Sequence, residues 1–264
     1  MVTLVCVLKF ISFVSIVLWI ILRAFITNPI PRTLRIISNS GFDWICIDLE
    51  HSDISNKESN ILISLAKKNK IKPYVRVASK SEENFKKALD GGAVGIIVPM
   101  VETKKDVDDI IKFSYFSPVG KRSFGLYSHN TYGIKKNYLK INSYKPEIIL
   151  QIESEKGINN LESILSNKFI SGTLIGRYDL SLTLNEPGNF KSKKFNNCLK
   201  KYFSICKQKK IKTGIHVADF SLENIKSEIK NYDLVAVGTD FIFVKKMCDL
   251  LFKKIKWVSL PIFL

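Results

Sequence analysis

The stretch DWICIDLEHSD, residues 43–53, places Asp48, Glu50, His51 and Asp53 directly after an apolar run. A histidine beside carboxylates at the end of an apolar strand suits a general base: Asp48 would orient the imidazole of His51, whose ordinary pKa lies near neutrality. Arg76 stands in YVRV between apolar neighbours. Its fixed guanidinium fork suits a carboxylate or enolate oxygen, or equally a buried partner for Asp48 or Glu50. Glu153 follows LQI, and Asp179 follows LIGRY. If the fold brings these two carboxylates together, they form a hard-oxygen site for a divalent cation with positions left for water and substrate. Taken separately, Glu153 is a favourable charge at a helix start and Asp179 caps a turn. His129 in a long loop and His216 in a strand are weaker candidates. No lysine stands directly at a strand end, which argues against Schiff-base chemistry, and Lys80 and Lys104 read as solvated helix starts.

These residues need a scaffold that collects strand ends. Short apolar runs alternate with helical stretches, the pattern of parallel strands joined by crossover helices. The expected strands are Ala24 to Thr27, Trp44 to Leu49, Lys72 to Val77, Val94 to Pro99, Glu147 to Ile152, Gly172 to Ile175, Thr213 to Val217 and Leu234 to Val237. Capping-box spacings mark helix starts at Ser55 with Glu58, Ser79 with Glu82, and Thr103 with Asp106. Gly41 and the pair Gly91-Gly92 mark helix ends. Eight such units suit a single-domain, closed (β/α)8 TIM barrel better than an open doubly wound sheet, because no Gly-rich phosphate turn follows the first strand. In that barrel Asp48, Glu50, His51, Arg76, Glu153 and Asp179 all fall at one end.

Composition narrows the function classes. The 264 residues are 46% apolar and 25% charged, ordinary for a globular protein. The net charge of +17 raises the question of nucleic acid, yet the lysines occur as scattered pairs such as Lys67-Lys68 and Lys193-Lys194 without interleaved aromatics, so no nucleic-acid partner is expected. The five cysteines share no CxxC spacing and read as reduced core residues of an intracellular protein. Residues 1–23 form a separate apolar segment, interrupted only by Lys9 before Arg23. A membrane helix with the barrel on the cytoplasmic side, an altered lead-in helix plugging the barrel bottom, or a changed start of the reading frame would each give these letters. Residues 24–264 are then the barrel with its C-terminal helix, expected in the cytoplasm.

Over roughly residues 24–250, the motifs GFDWICIDLEHSD, PYVRVASKSEENFKKALDGGAVGIIVPMVET, PVGKRSFGLYSHNTYG, LQIESEKGINNLESI, LIGRYDLSLTLNEPGNF and VAVGTDFIFV resemble those of the HpcH/HpaI aldolase family, class II pyruvate aldolases. The resemblance implies a barrel that assembles as a trimer or hexamer, often by exchanging its last helix. It implies a divalent metal, Mg2+ or Mn2+ and in some cases Co2+, held by Glu153 and Asp179. His51 paired with Asp48 would be the base, and Arg76 would bind the keto or enolate oxygen. Gln151 and Gly176 would help hold substrate, and Asp90 would reach a neighbouring subunit's site. The implied reaction is metal-dependent retro-aldol cleavage of a 4-hydroxy-2-oxo acid to pyruvate and an aldehyde through a stabilised enolate.

Three features depart from the family pattern. Arg177 stands in a metal loop that usually reads Gly-Pro-x-Asp, where it could collect an acidic substrate tail or distort the loop. Ser123 replaces a common glycine, and the apolar first segment replaces a more polar lead-in. Together they motivate a rival expectation, a catalytically impaired, membrane-associated barrel that acts as a binding scaffold.

Overall fold

The computed structural model describes residues 22–128, 132, 145–218 and 221–256. Eight parallel strands close in sequence order: β1 (Leu22–Ile26), β2 (Trp44–Asp48), β3 (Lys72–Arg76), β4 (Gly95–Val98), β5 (Glu147–Ile152), β6 (Gly172–Ile175), β7 (Gly214–Val217) and β8 (Leu234–Thr239). The helices between them are α1 (Pro31–Ser38), α2 (Asn56–Lys68), α3 (Glu82–Asp90), α4 (Lys104–Ser114), α5 (Glu155–Asn159), α6 (Leu161–Ile164), α7 (Arg177–Thr183), α8 (Lys193–Lys209) and α9 (Leu222–Asn231), with α10 (Asp240–Lys256) after β8. The fold is the expected (β/α)8 barrel.

Each strand is sorted by its period of two. Ile45 and Ile47, Val75, Ile96 and Val98, Ile148, Leu150 and Ile152, and Val235 and Val237 point outward into one continuous core beneath the helices. The alternate residues Phe25, Trp44, Cys46, Tyr74, Ile97, Ile149, Leu174 and Ala236 fill the interior. Because both faces are covered, the strands read as unbroken apolar runs. The inward row of β2 continues from Trp44 and Cys46 to Asp48, that of β3 from Tyr74 to Arg76, and that of β5 from Ile149 to Gln151 and Glu153. At the C-terminal ends of the strands, polar side chains thus replace the apolar filling.

Local capping chemistry follows the sequence at two of three predicted starts. Ser55 with Glu58 and Thr103 with Asp106 form reciprocal capping boxes. At α3 the cap is Ser81, which accepts from the Asn84 N–H, while Ser79 accepts from the Asn84 side chain. Gly41 and Gly92 adopt φ values of +87° and +100°, where a Cβ is disfavoured. Gly91 is right-handed, so the second glycine of the pair ends α3.

The β1/β8 seam is closed by a buried carboxylate. Asp240 accepts from the backbone N–H of Thr27 and Asn28 at 3.1 Å each and from both their side chains. Strand β1 begins at Leu22, and Arg23 is buried at the barrel floor, stacked over Trp44 at 5.1 Å and donating to the Asp233 carbonyl. Burial draws its pKa down to about 10. Arg23 therefore belongs to the barrel, one residue before the boundary expected at residue 24. The remainder of the apolar segment, residues 1–21, lies outside the described residues, among which no helix is long and apolar enough to cross a membrane. Of the cysteines, Cys46 and Cys206 are buried as expected, Cys198 is half-buried, and Cys248 is exposed on α10, contrary to a core placement; Cys6 lies outside the described residues.

Candidate active site

Asp48, the last residue of β2, is 1% exposed and grips Arg76 of the neighbouring strand in a two-point bond, Nε to Oδ1 at 2.8 Å and Nη2 to Oδ2 at 2.6 Å. Strand register makes this contact, since Asp48 and Arg76 are directly paired across β2 and β3. Asp48 Oδ1 also accepts the backbone N–H of Glu50 at 3.1 Å and of His51 at 3.4 Å. Burial opposes ionisation of Asp48, but the Arg76 fork and these amides outweigh it and hold its carboxyl below the usual range. Glu50 approaches Arg76 from the other side, Oε2 to Nη1 at 3.2 Å. Burial pushes the Glu50 carboxyl up, against the pull of Arg76.

The expected pairing of Asp48 with the His51 side chain is not formed. Asp48 spends its oxygens on Arg76 and meets only the backbone of His51. The His51 imidazole is 67% exposed, with Glu50 Oε2 at 3.7 Å from Nε2. Among the described residues, Glu50 is the carboxylate beside this ring. The plainer reading of Arg76, a buried partner for Asp48 and Glu50, is what the geometry shows; its guanidinium also lies 5.0 Å above the ring of Phe25.

Glu153 follows β5 and is 2% exposed. One oxygen accepts the Met100 N–H at 2.6 Å and the other the Gln151 side-chain amide. Burial raises the Glu153 carboxyl above its usual range, partly offset by these donors and reinforced by the nearby charge of Asp179. Gly176 is the N-cap of α7, and a Cβ there would lie 2.5 Å from Glu153 Cβ and 2.6 Å from Oε2. The bare backbone at Gly176 therefore gives the Glu153 side chain its place. Asp179, three residues on, is exposed in the first turn of α7, near enough for its charge to act on Glu153. Among the described residues no cluster of three or more His, Cys, Asp or Glu could hold a metal ion.

Several predicted residues land elsewhere. Asp90 ends α3, at the end of the helix remote from the strand C-termini, where it accepts from Arg122 at 2.5 Å. Arg177 turns from the site: its Nη1 meets Glu228 of α9 at 2.8 Å, and its guanidinium stacks over Phe190 at 4.8 Å. It neither enters the site nor distorts the loop, whose Gly176 N–H still bonds the Ile152 carbonyl at 3.0 Å. Ser123 is exposed. Lys104 is a solvated helix start paired with Asp108, but Lys80 donates to the Met100 carbonyl at 2.7 Å and meets Asp106 at 3.0 Å. His129 lies outside the described residues. His216 points into the barrel from β7, stacked on Phe25 at 4.3 Å, and its Nε2 is 3.0 Å from the Gly238 carbonyl. Burial lowers its pKa to about 4, so the ring is neutral.

Met100 escaped sequence reasoning. Its φ of +52° is rare for a non-glycine residue, and it turns the Met100 N–H toward Glu153 while Lys80 holds its carbonyl. The one signal was its place two residues after an apolar strand, which does not distinguish it from any loop residue.

Residues 23–240 match the HpcH/HpaI aldolase/citrate lyase family. The chain belongs to that family. A 4-hydroxy-4-methyl-2-oxoglutarate aldolase of Chaetomium globosum is 29% identical over 67% of this chain and 68% of its own length. A 5-keto-4-deoxy-D-glucarate aldolase of Escherichia coli is 27% identical over 81% and 83%. The crystal structure of an HpcH/HpaI aldolase/citrate lyase family protein from Burkholderia cenocepacia shares the fold, with a TM-score of 0.83 at 21% identity over 89% of this chain and 94% of that one. As a member of the family, this HpcH/HpaI protein is an aldolase-type lyase acting on a small molecule.

Proposed function

We propose that this protein cleaves a 4-hydroxy-2-oxo acid into pyruvate and an aldehyde, using a divalent cation held by Glu153 and Asp179. The observation that carries the proposal is a guanidinium, Arg76, clamped between Asp48 and Glu50 at the same barrel end as a buried carboxylate, Glu153. The donor set fits a hard cation. Glu153 is desolvated and lies near a second carboxylate, an arrangement that favours proton uptake unless a positive ion compensates. Bound there, Mg2+ or Mn2+ would supply Lewis-acid polarisation of the 2-oxo acid group.

The chain's own residues do the rest. Arg76 cannot swing, because the Asp48 fork and Glu50 fix its plane, so its charge is ready for the oxygen that becomes negative as C3–C4 breaks. His51, exposed beside Glu50, takes the 4-hydroxyl proton; the electron pair of the C3–C4 bond passes into the pyruvate enolate while the aldehyde carbonyl forms. A proton returned to C3 completes pyruvate. Gln151, whose amide already donates to Glu153, and the start of α7 after Gly176 would lie toward the acid end of the substrate. Asp90 would serve a neighbouring subunit, in keeping with an uncovered apolar stripe on α10 that includes Phe241, Val244, Met247 and Leu251.

The test is pyruvate release from a panel of 4-hydroxy-2-oxo acids with Mg2+, Mn2+ or a chelator, alongside Mn2+-dependent thermal shifts. Pyruvate is expected only with metal. At an Mn2+ concentration about 100 times Kd the native protein gains roughly 2.7 kcal/mol, a gain that Glu153→Gln loses. No pyruvate from any acid, together with an unchanged Mn2+ shift in Glu153→Gln, refutes the reading.

A further inference from the structure

A cavity of about 290 Å3 lies beside the site, lined in part by Arg177, Tyr178, His216, Asn224 and Glu228. Two contacts tie it to the catalytic cluster. The His216 ring in its wall stacks on Phe25, and the same Phe25 ring carries the Arg76 guanidinium at 5.0 Å. Arg177 and Tyr178 immediately precede Asp179 on α7. The cavity is thus one aromatic ring from the group proposed to hold the enolate oxygen, and one helical turn or less from a proposed metal ligand.

Its charge is balanced. Arg177 is the cation that an acidic substrate tail would seek, but Glu228 already meets it at 2.8 Å, and Phe190 at 4.8 Å fixes its plane. His216 is neutral, with its Nε2 engaged by the Gly238 carbonyl. Asn224 and Tyr178 carry no charge. The wall therefore offers donors, the remaining guanidinium N–H groups and the Asn224 amide, next to an acceptor, the Glu228 carboxylate. A hydroxyl group can donate and accept at once and satisfies both. A carboxylate only accepts, and it would set a second negative charge against Glu228. At roughly 30 Å3 per water-sized group, the volume suits a tail of a few carbons.

We propose that this cavity receives the part of the substrate beyond C4, and that the Arg177–Glu228 pair selects an uncharged, hydroxylated tail over one that ends in a carboxylate. The inference rests on the lyase reading above and adds to it the substrate class.

The experiment compares kcat/KM for pyruvate release from two probes, a 2-keto-3-deoxy sugar acid with an uncharged polyol tail and a 4-hydroxy-2-oxo dicarboxylate of similar length. The native protein should prefer the polyol probe by about tenfold or more, the scale of one uncompensated charge contact near a protein surface. Glu228→Gln leaves Arg177 unbalanced and should move the preference about tenfold toward the dicarboxylate, mainly through KM. Arg177→Gln leaves Glu228 unbalanced and should move it the other way. Opposite signs from the two halves of one pair are not expected of a purely structural role. If one variant fails to fold, the other keeps its signed expectation and the native ratio stands alone. A native preference for the dicarboxylate, or a ratio that both variants leave unmoved, overturns the inference while leaving the lyase reading intact. Absence of pyruvate from both probes, and from the wider panel with metal, removes the lyase reading and this inference with it.

Discussion

Replacing Asp48 reveals which partner its carboxylate serves. With side-chain exposures of 2% for Asp48 and 10% for Arg76, the pair is poorly screened, and two of the contacts on Asp48 are charge-assisted bonds of 2.8 and 2.6 Å. Asp48→Ala leaves a buried guanidinium facing only Glu50, and breaking one side of a buried pair costs roughly 3–5 kcal/mol. At roughly 2–4 °C per kcal/mol for a domain of this size, Tm should fall by about 6–20 °C. Denaturant unfolding of Asp48→Ala, Arg76→Met and the double variant gives a cycle whose coupling energy should reach about 2–3 kcal/mol. A second cycle with His51→Ala should give less than about 0.5 kcal/mol, because Asp48 touches only the backbone of His51, and that loss is common to the single and double variants. A small Asp48–Arg76 coupling, or a His51 coupling of equal size, would refute the assignment of Asp48 to Arg76.

Three further outcomes follow from the geometry. Gly176→Ala puts a Cβ 2.5 Å from Glu153 Cβ, so overpacking should cost about 1–3 kcal/mol in thermal unfolding and weaken Mn2+ binding measured by calorimetry; native-like values for both would contradict the close approach. Asp240→Ala strands the Thr27 and Asn28 amides at the β1/β8 seam and should cost about 2–4 kcal/mol, with hydrogen exchange quickening first in β1; uniform exchange would speak against it. The third concerns pH. His216 is held neutral by burial, with its pKa at about 4 against an ordinary 6.5, so the unfolded chain binds its proton first. The contribution is fully present above pH 6.5 and is lost as pH falls toward 4, amounting to roughly 3 kcal/mol. His216→Gln should flatten that part of the stability–pH curve, and an unchanged slope would show that His216 is not its source.

The sequence by itself was enough for the barrel. Apolar runs at regular intervals, capping boxes at Ser55 and Thr103, and glycine at helix ends are local signals, and the parallel-strand pattern places Asp48, Arg76 and Glu153 at strand ends on one side of the barrel without knowledge of any contact, whereas Gln151 came only from the family resemblance. The motifs likewise pointed to the family. Which side chain meets which was beyond its reach, because those choices are made between distant segments. Asp48 could not be assigned between His51, three residues away, and Arg76, 28 residues away, until strand register set the second opposite it. Arg177 looked free to enter the site until α9 brought Glu228 within 2.8 Å, 51 residues along the chain. Met100 became part of the site only through a left-handed backbone turn that no neighbouring residue type demands. The periodic burial of apolar surface is written locally and survives translation into a fold. Ion pairs take their strength from burial and exact separation, which only the packed barrel decides.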